Sequence, residues 1–172
     1  MVEYIIVFKD FFMPYKYEKL IRFFTHPTFL AAIFSWLSAQ FLKTLIHLIY
    51  GRIKTFKDLI ANMFWRTGGM PSSHSAIVTA VCTSIGILEG VESSVFMLSL
   101  LITFITMRDA VGVRRSNGIQ SKKLNELGRE LEENECIKEY KSIKEVNGHT
   151  PIQVIMGALL GFLIGFSMTL IK

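Results

Sequence analysis

Four apolar runs, at about residues 27–50, 72–88, 93–110 and 148–171, limit what this chain can become more than any other feature. A bilayer's hydrocarbon core accepts a helix of about 20 apolar residues, because a helix satisfies its own backbone polar groups where no water can. The second run is short for a span. It carries Ala76, Ala80 and Ser84 at every fourth position, a spacing that lets helices approach closely without a hydrophobic driving force. With 172 residues, 51% of them hydrophobic, and a mean hydropathy of +0.40, the chain is too apolar for a soluble domain of its size. The expected fold class is all-α: an integral membrane bundle of about four transmembrane helices.

The segments around these runs divide the chain. Residues 1–25 mix Tyr4, Phe8, Phe11, Phe12, Phe23 and Phe24 with Lys9, Lys16, Lys19 and Arg22, as a segment lying in the membrane interface does. No basic head, apolar core and small-residue cleavage site follow one another there, so no removable signal peptide is expected. Residues 26–172 then form one membrane domain. Within it, 112–148 is a charged loop in which Leu124, Leu127, Leu131, Ile137, Tyr140 and Ile143 predict one broken or two short amphipathic helices capping a membrane-facing site. The net charge of +5 sits between the apolar runs, which points to membrane topology and anionic lipid and away from nucleic acid. Cys82 lies in an apolar run and Cys136 in the charged loop, so both read as free thiols. Small-residue helix faces leave a homodimer open.

Gly68-Gly69-Met70-Pro71-Ser72-Ser73-His74-Ser75, which opens the second run, reads as an anion site with a proton donor. The glycines let the backbone turn tightly, and proline with serines suits the first turn of a helix, whose N–H groups attract phosphate. A plain helix cap with an incidental histidine fits the same residues. In the first run Gln40, Lys43 and His47 recur on one helical side; they face a bundle interior, or Lys43 and His47 snorkel to the interface. Arg66 precedes the glycine turn. The third run ends in Arg108-Asp109-Ala110-Val111-Gly112-Val113-Arg114-Arg115, whose arginines suit phosphate oxygens or a positive-inside flank. The last run opens with His149 and Gln153, one turn apart, followed by Gly157, Gly161 and Gly165 on one stripe.

Four spans bring Arg66, His74, Arg108, Asp109, Arg114, Arg115 and His149 to one side of the membrane, and the positive-inside rule assigns that side to the cytoplasm. Two histidines with several arginines around an anion-binding turn fit phosphoryl transfer through a covalent intermediate. One imidazole attacks phosphorus, the other protonates the departing oxygen, and arginines with backbone N–H groups hold the equatorial oxygens. His26, His47, His74 and His149 lack a metal-ligand spacing, and no metal or other cofactor is expected.

Pro71-Ser72-Ser73-His74, the arginine-rich stretch Asp109-Ala110-Val111-Gly112-Val113-Arg114-Arg115 and Gly148-His149-Thr150-Pro151 together resemble, in order, motifs of the type 2 phosphatidic acid phosphatase and vanadium haloperoxidase superfamily. The resemblance covers residues 27–172 and is to its small, divergent membrane branch. It implies His149 as nucleophile, His74 as general acid, Arg114 or Arg115 as phosphate ligand and a metal-independent hydrolysis. Lys43 and Arg66 are the candidates for the superfamily's leading lysine-and-arginine motif. Arg108, Ser72, Ser73 and Gly69 complete the expected phosphate-binding set. Ser73 stands where the superfamily has glycine, and Gln153 where it has an acid. An amide there can orient His149 but not stabilise its cation, and Asp109 is the acid that could take over.

The expected function is therefore a phosphatase of the bacterial inner membrane acting on a lipid phosphate or diphosphate, its site facing the cytoplasm. The alternative is a non-catalytic membrane protein that binds a phosphorylated lipid through the same pocket.

Overall fold

The computed structural model describes residues 15–51, 53, 55–64, 68–145 and 148–171, and all regular structure among them is helical. Each helix begins where local chemistry favours a beginning. Helix α1 (Tyr15–Phe24) is a short amphipathic piece, and its Phe23 and Phe24 rings pack on Phe29 of α2 (Pro27–Ile49). The imidazole of His26 caps α2 by accepting the Thr28 N–H at 3.3 Å, with Pro27 at the first helical position. Helix α4 (Ser73–Glu89) starts on Ser72 and stops at Gly90, whose φ of +86° lies in the left-handed region. Helix α5 (Ser94–Val111) starts on Ser93, which accepts the Phe96 N–H at 3.2 Å. Helix α7 (Pro151–Leu170) starts at Pro151 after Thr150.

Helices α2, α5 and α7 are long and apolar enough to cross a membrane. Helix α4, at 17 residues roughly 25 Å long, sits among all three. Its small residues meet the glycines of α7 rung by rung. Gly157 lies against the carbonyl of Ser72, Gly161 against that of Ala76 and Gly165 against that of Ala80, so a side chain on any of these glycines would collide with backbone. The register 72–157, 76–161, 80–165 makes α4 and α7 parallel neighbours that start at the same end of the bundle. At the far end the Ser84 hydroxyl meets Thr28 of α2 at 3.0 Å and accepts from Thr169 of α7 at 2.9 Å, tying three helices inside the apolar layer. Thr103 of α5 donates to the Val78 carbonyl of α4 at 3.2 Å.

The segments between spans differ from the sequence expectation in two places. Residues 56–64 form a helix, α3 (Phe56–Phe64), between the first two apolar runs, where the sequence pattern marks no helix. Thr55 and Asp58 cap it reciprocally, the hydroxyl donating to Oδ2 at 2.8 Å and accepting the Asp58 N–H at 3.2 Å. The charged segment is one unbroken helix, α6 (Val113–Glu133), which leaves α5 at Gly112 and packs appreciably against no other helix. Its return, described over 134–145 and 148–150, is irregular there and is pinned to α6 by Asn125. The Asn125 amide oxygen accepts from Tyr140 Oη and from the Ile143 N–H, each at 2.8 Å, while its nitrogen donates to the Ile143 carbonyl at 2.9 Å. Most of the expected interfacial segment, residues 1–14, lies outside the described residues.

The α4–α7 contact leaves no room for a methyl group, so Gly161→Ala is expected to lower stability by about 1–3 kcal/mol. Thermal unfolding in detergent measures this. Leu101→Ala, on the exposed side of α5, serves as the control that leaves the transition unchanged.

Candidate functional site

The end of the bundle where α4 and α7 begin is also where α2 and α5 finish, and the polar residues of four helices converge there. Lys43, near the C-terminal end of α2, is 4% exposed and donates to Gln40 Oε1 and to Ser73 Oγ, each at 3.2 Å. Among the described residues no carboxylate pairs with it. A cation buried at membrane depth with only neutral oxygens around it is costly unless an anion joins it. Gly68 and Gly69, with φ of +92° and +84°, carry the chain over this lysine. A Cβ on Gly69 would lie 3.7 Å from His47 Nε2 and 4.0 Å from Lys43 Cγ, so the glycine turn rests directly on α2.

The first turn of α4 divides its two serines between different tasks. The buried Ser72 hydroxyl accepts the Ser75 N–H at 3.4 Å and the Ser75 hydroxyl at 3.0 Å, so it is consumed by the cap. Ser73 carries the contact to Lys43. His74 follows on the exposed side, within Coulombic reach of Arg114, Lys43 and Asp109.

The junction of α5 and α6 supplies the guanidinium. Arg114 Nε donates to Asp109 Oδ2 at 2.6 Å, and of the arginines in this stretch it is Arg114 whose charge reaches both His74 and His149. Arg108 and Arg115 are exposed. Arg115 instead contributes backbone: Gly148 lies so close to its Cα and N that any side chain at 148 would overlap them. Arg66 lies outside the described residues.

His149 is placed by backbone on three sides. Gly148 seats on Arg115, the His149 N–H donates to the Ala110 carbonyl at 3.1 Å, and the helix it precedes is held by the Ser72 N–H donating to the Gln153 carbonyl at 2.9 Å. Its side chain is 5% exposed, and neither ring nitrogen has a hydrogen-bond partner. Burial first, then the positive charges of Lys43, His74 and Arg114, lowers its pKa from 6.5 to about 4.

Gln153 is not the partner that orients this imidazole. Its Oε1 accepts the Thr150 N–H at 3.0 Å and so caps the first turn of α7. Asp109 does not take that place either, since it is bonded to Arg114 and the unpartnered ring of His149 touches no acid. Sequence reasoning missed Asn125, which fixes the return leading to His149. An asparagine amid a charged helix carries no mark that separates a latch from a solvated side chain. Among the described residues no three His, Cys, Asp or Glu side chains come together as a metal site would need.

This assembly of two parallel helix starts, a buried lysine, an arginine and two imidazoles suits an oxyanion. The model of the Divergent PAP2 family matches residues 24–164. YuiD of Bacillus subtilis (strain 168), described as an uncharacterized membrane protein, is 37% identical over 147 residues, covering 78% of this chain and 89% of that protein. No solved structure matches. The chain is thus an integral membrane protein that belongs to the divergent PAP2 family.

Proposed function

We propose that this protein is a metal-independent membrane phosphatase that hydrolyses a lipid phosphate or diphosphate through a phosphohistidine intermediate, at the cytoplasmic face of the bacterial inner membrane. The observation that carries this reading is a pair of buried groups at one end of the bundle, a cation and an imidazole. Lys43 has no counter-charge among the described residues, and His149 has no hydrogen-bond partner at either nitrogen. A tetrahedral oxyanion would satisfy both.

The chemistry starts from the neutral state of His149. With its pKa near 4, His149 is neutral at physiological pH and holds a free lone pair. That nitrogen attacks phosphorus, the bond from phosphorus to the lipid oxygen breaks, and His74 gives its proton to the departing oxygen. Water then attacks the phosphohistidine and loses a proton to His74 as the P–N bond breaks, releasing phosphate and restoring both imidazoles. Lys43, Arg114 and the N–H groups at the start of α4 stabilise charge on the equatorial oxygens. The Lys/Arg-rich segments on this side of the bundle support its assignment to the cytoplasm.

A second reading rests on the same imidazole. Because Gln153 caps α7 and no acid touches His149, the pocket also suits a protein that holds a phosphorylated lipid without turning it over.

Kinetics separates the two. Purified protein should release phosphate from a lipid phosphate, His149→Ala should abolish release, and Lys43→Met should lower kcat/KM by on the order of 10²–10³. The binding reading predicts vanadate binding that Arg114→Ala weakens, with no release in the wild type. His74→Asn should slow release of a lipid alcohol far more than release of nitrophenol, a leaving group that needs no proton.

The pH dependence is testable without substrate. The folded pKa of His149 lies below the unfolded value, so the unfolded chain takes up its proton first. This contribution to stability is then whole above about 6.5 and lost as pH falls toward 4. Imidazole NMR should find His149 neutral at pH 5, and vanadate should raise its pKa, because a bound anion favours the imidazolium. A ring already charged at pH 6 in the free protein would remove it as the nucleophile.

A further inference from the structure

The charged arc from Arg115 to Gly148 leaves the bundle as α6 and comes back to the residue ahead of His149. Since α6 packs appreciably against no other helix, the arc is held in shape by what ties α6 to its own return. Asn125 is that tie. We infer that Asn125 is a positioning residue for His149, setting through the backbone of the return an imidazole that no carboxylate holds. Its consequence for rate rests on the phosphatase reading, whereas the placement of the ring can be measured without it.

Asn125 is 2% exposed, and its amide is saturated. The oxygen accepts from Tyr140 Oη and from the Ile143 N–H, while the nitrogen donates to the Ile143 carbonyl and, at 3.0 Å, to Glu145 Oε1. Those are all the bonds a primary amide is built to make. The side chain thus pairs with both backbone groups of Ile143 as a neighbouring strand would. Aspartate has its shape without the donors, and glutamine carries the same groups one methylene too far out. Gly128, on the next turn of α6, makes the room: a Cβ there would overlap the Tyr140 ring.

Glu145 closes this latch, and Gly148, shortly after it in the chain, rests against the Arg115 backbone. The His149 N–H then donates to the Ala110 carbonyl. Neither ring nitrogen of His149 has a hydrogen-bond partner, Gln153 caps α7 and Asp109 is bonded to Arg114, so nothing bonded to the ring sets its angle. The direction of the imidazole therefore follows the backbone of 148 and 149, which the first turn of α7 fixes from one side and the latched return from the other. A nucleophile misplaced by about 1 Å loses on the order of 10²-fold in rate, so a bond network that never touches the reacting atoms can govern it.

Three full-length variants test this. Asn125→Ala removes the latch, Asn125→Asp sets a carboxylate against the Ile143 carbonyl and Glu145, and Gly128→Ala displaces Tyr140 while every hydrogen-bonding group stays. Sites are counted in each purified protein by saturation with vanadate, and phosphate release from hexadecyl phosphate is expressed per vanadate site. We expect kcat per site to fall on the order of 10–10²-fold in each, with KM within about twofold because Lys43 and the start of α4 are untouched. Imidazole NMR of the free protein should show the His149 resonance broadened or split in the variants and that of His74 unchanged. Fewer vanadate sites with the wild-type kcat per site would mean a latch that only stabilises the fold, and would overturn the proposal. So would an unaltered His149 resonance in any folded variant. Should Asn125→Ala not fold, Gly128→Ala decides by the same readouts. A wild-type protein that releases no phosphate sinks the hydrolase reading alone, since the NMR comparison still decides whether Asn125 sets the ring.

Discussion

The contact between α4 and α7 is what the rest of the molecule depends on. Helices cross a bilayer in alternating directions, and two that run parallel must be separated in the chain by a return crossing, which α5 provides here. Because every fourth residue of α7 is glycine and every fourth of α4 is serine or alanine, the two backbones meet along three successive turns. Their register then fixes the site. The start of α4 and the start of α7 lie side by side, joined by the Ser72 N–H on the Gln153 carbonyl, so the positive ends of two helix dipoles face the same small volume.

Everything else gathered there adds to that positive potential. Lys43 comes in from α2, Arg114 from the start of α6, and His149 from the residue pair ahead of α7, while Asp109 is the acid in the neighbourhood and is bonded to Arg114. Burial and this field together account for the behaviour of His149. Depressing an imidazole from 6.5 to about 4 corresponds to roughly 3 kcal/mol against its charged form. Burial, which disfavours a charge of either sign, is the larger part of this, and the positive charges of Lys43, His74 and Arg114 are the part that favours an anion.

The periodic features of the sequence carried the architecture, because glycine and alanine at every fourth position can only be a helix face. His74, His149 and the arginines could be brought to one end by counting spans, an argument that needs topology and no side-chain detail. What counting could not reach was the division of labour between adjacent residues. Ser72 and Ser73 look alike in a list, yet one is spent on Ser75 and the other accepts from Lys43, since consecutive helical positions point about 100° apart. Arg114 and Arg115 separate for the same reason, one facing the imidazoles and the other giving its backbone to Gly148. Helix α3 was hidden because a nine-residue amphipathic helix depends on a reciprocal cap, which two residues, Thr55 and Asp58, decide.

Gln153 shows how one substitution redistributes the electrostatics of such a site. At the third position of a helix, glutamine and glutamate both reach back to the cap N–H, so the amide keeps the hydrogen bond to Thr150 that starts α7. What the amide gives up is charge. A carboxylate at 153, close to His149, would oppose the field of Lys43 and Arg114 and make the imidazole more basic. With the amide, His149 stays neutral and is oriented through its backbone, by Gly148 against Arg115 and by the Ala110 carbonyl. The acid of this site instead stands at Asp109, within reach of His74.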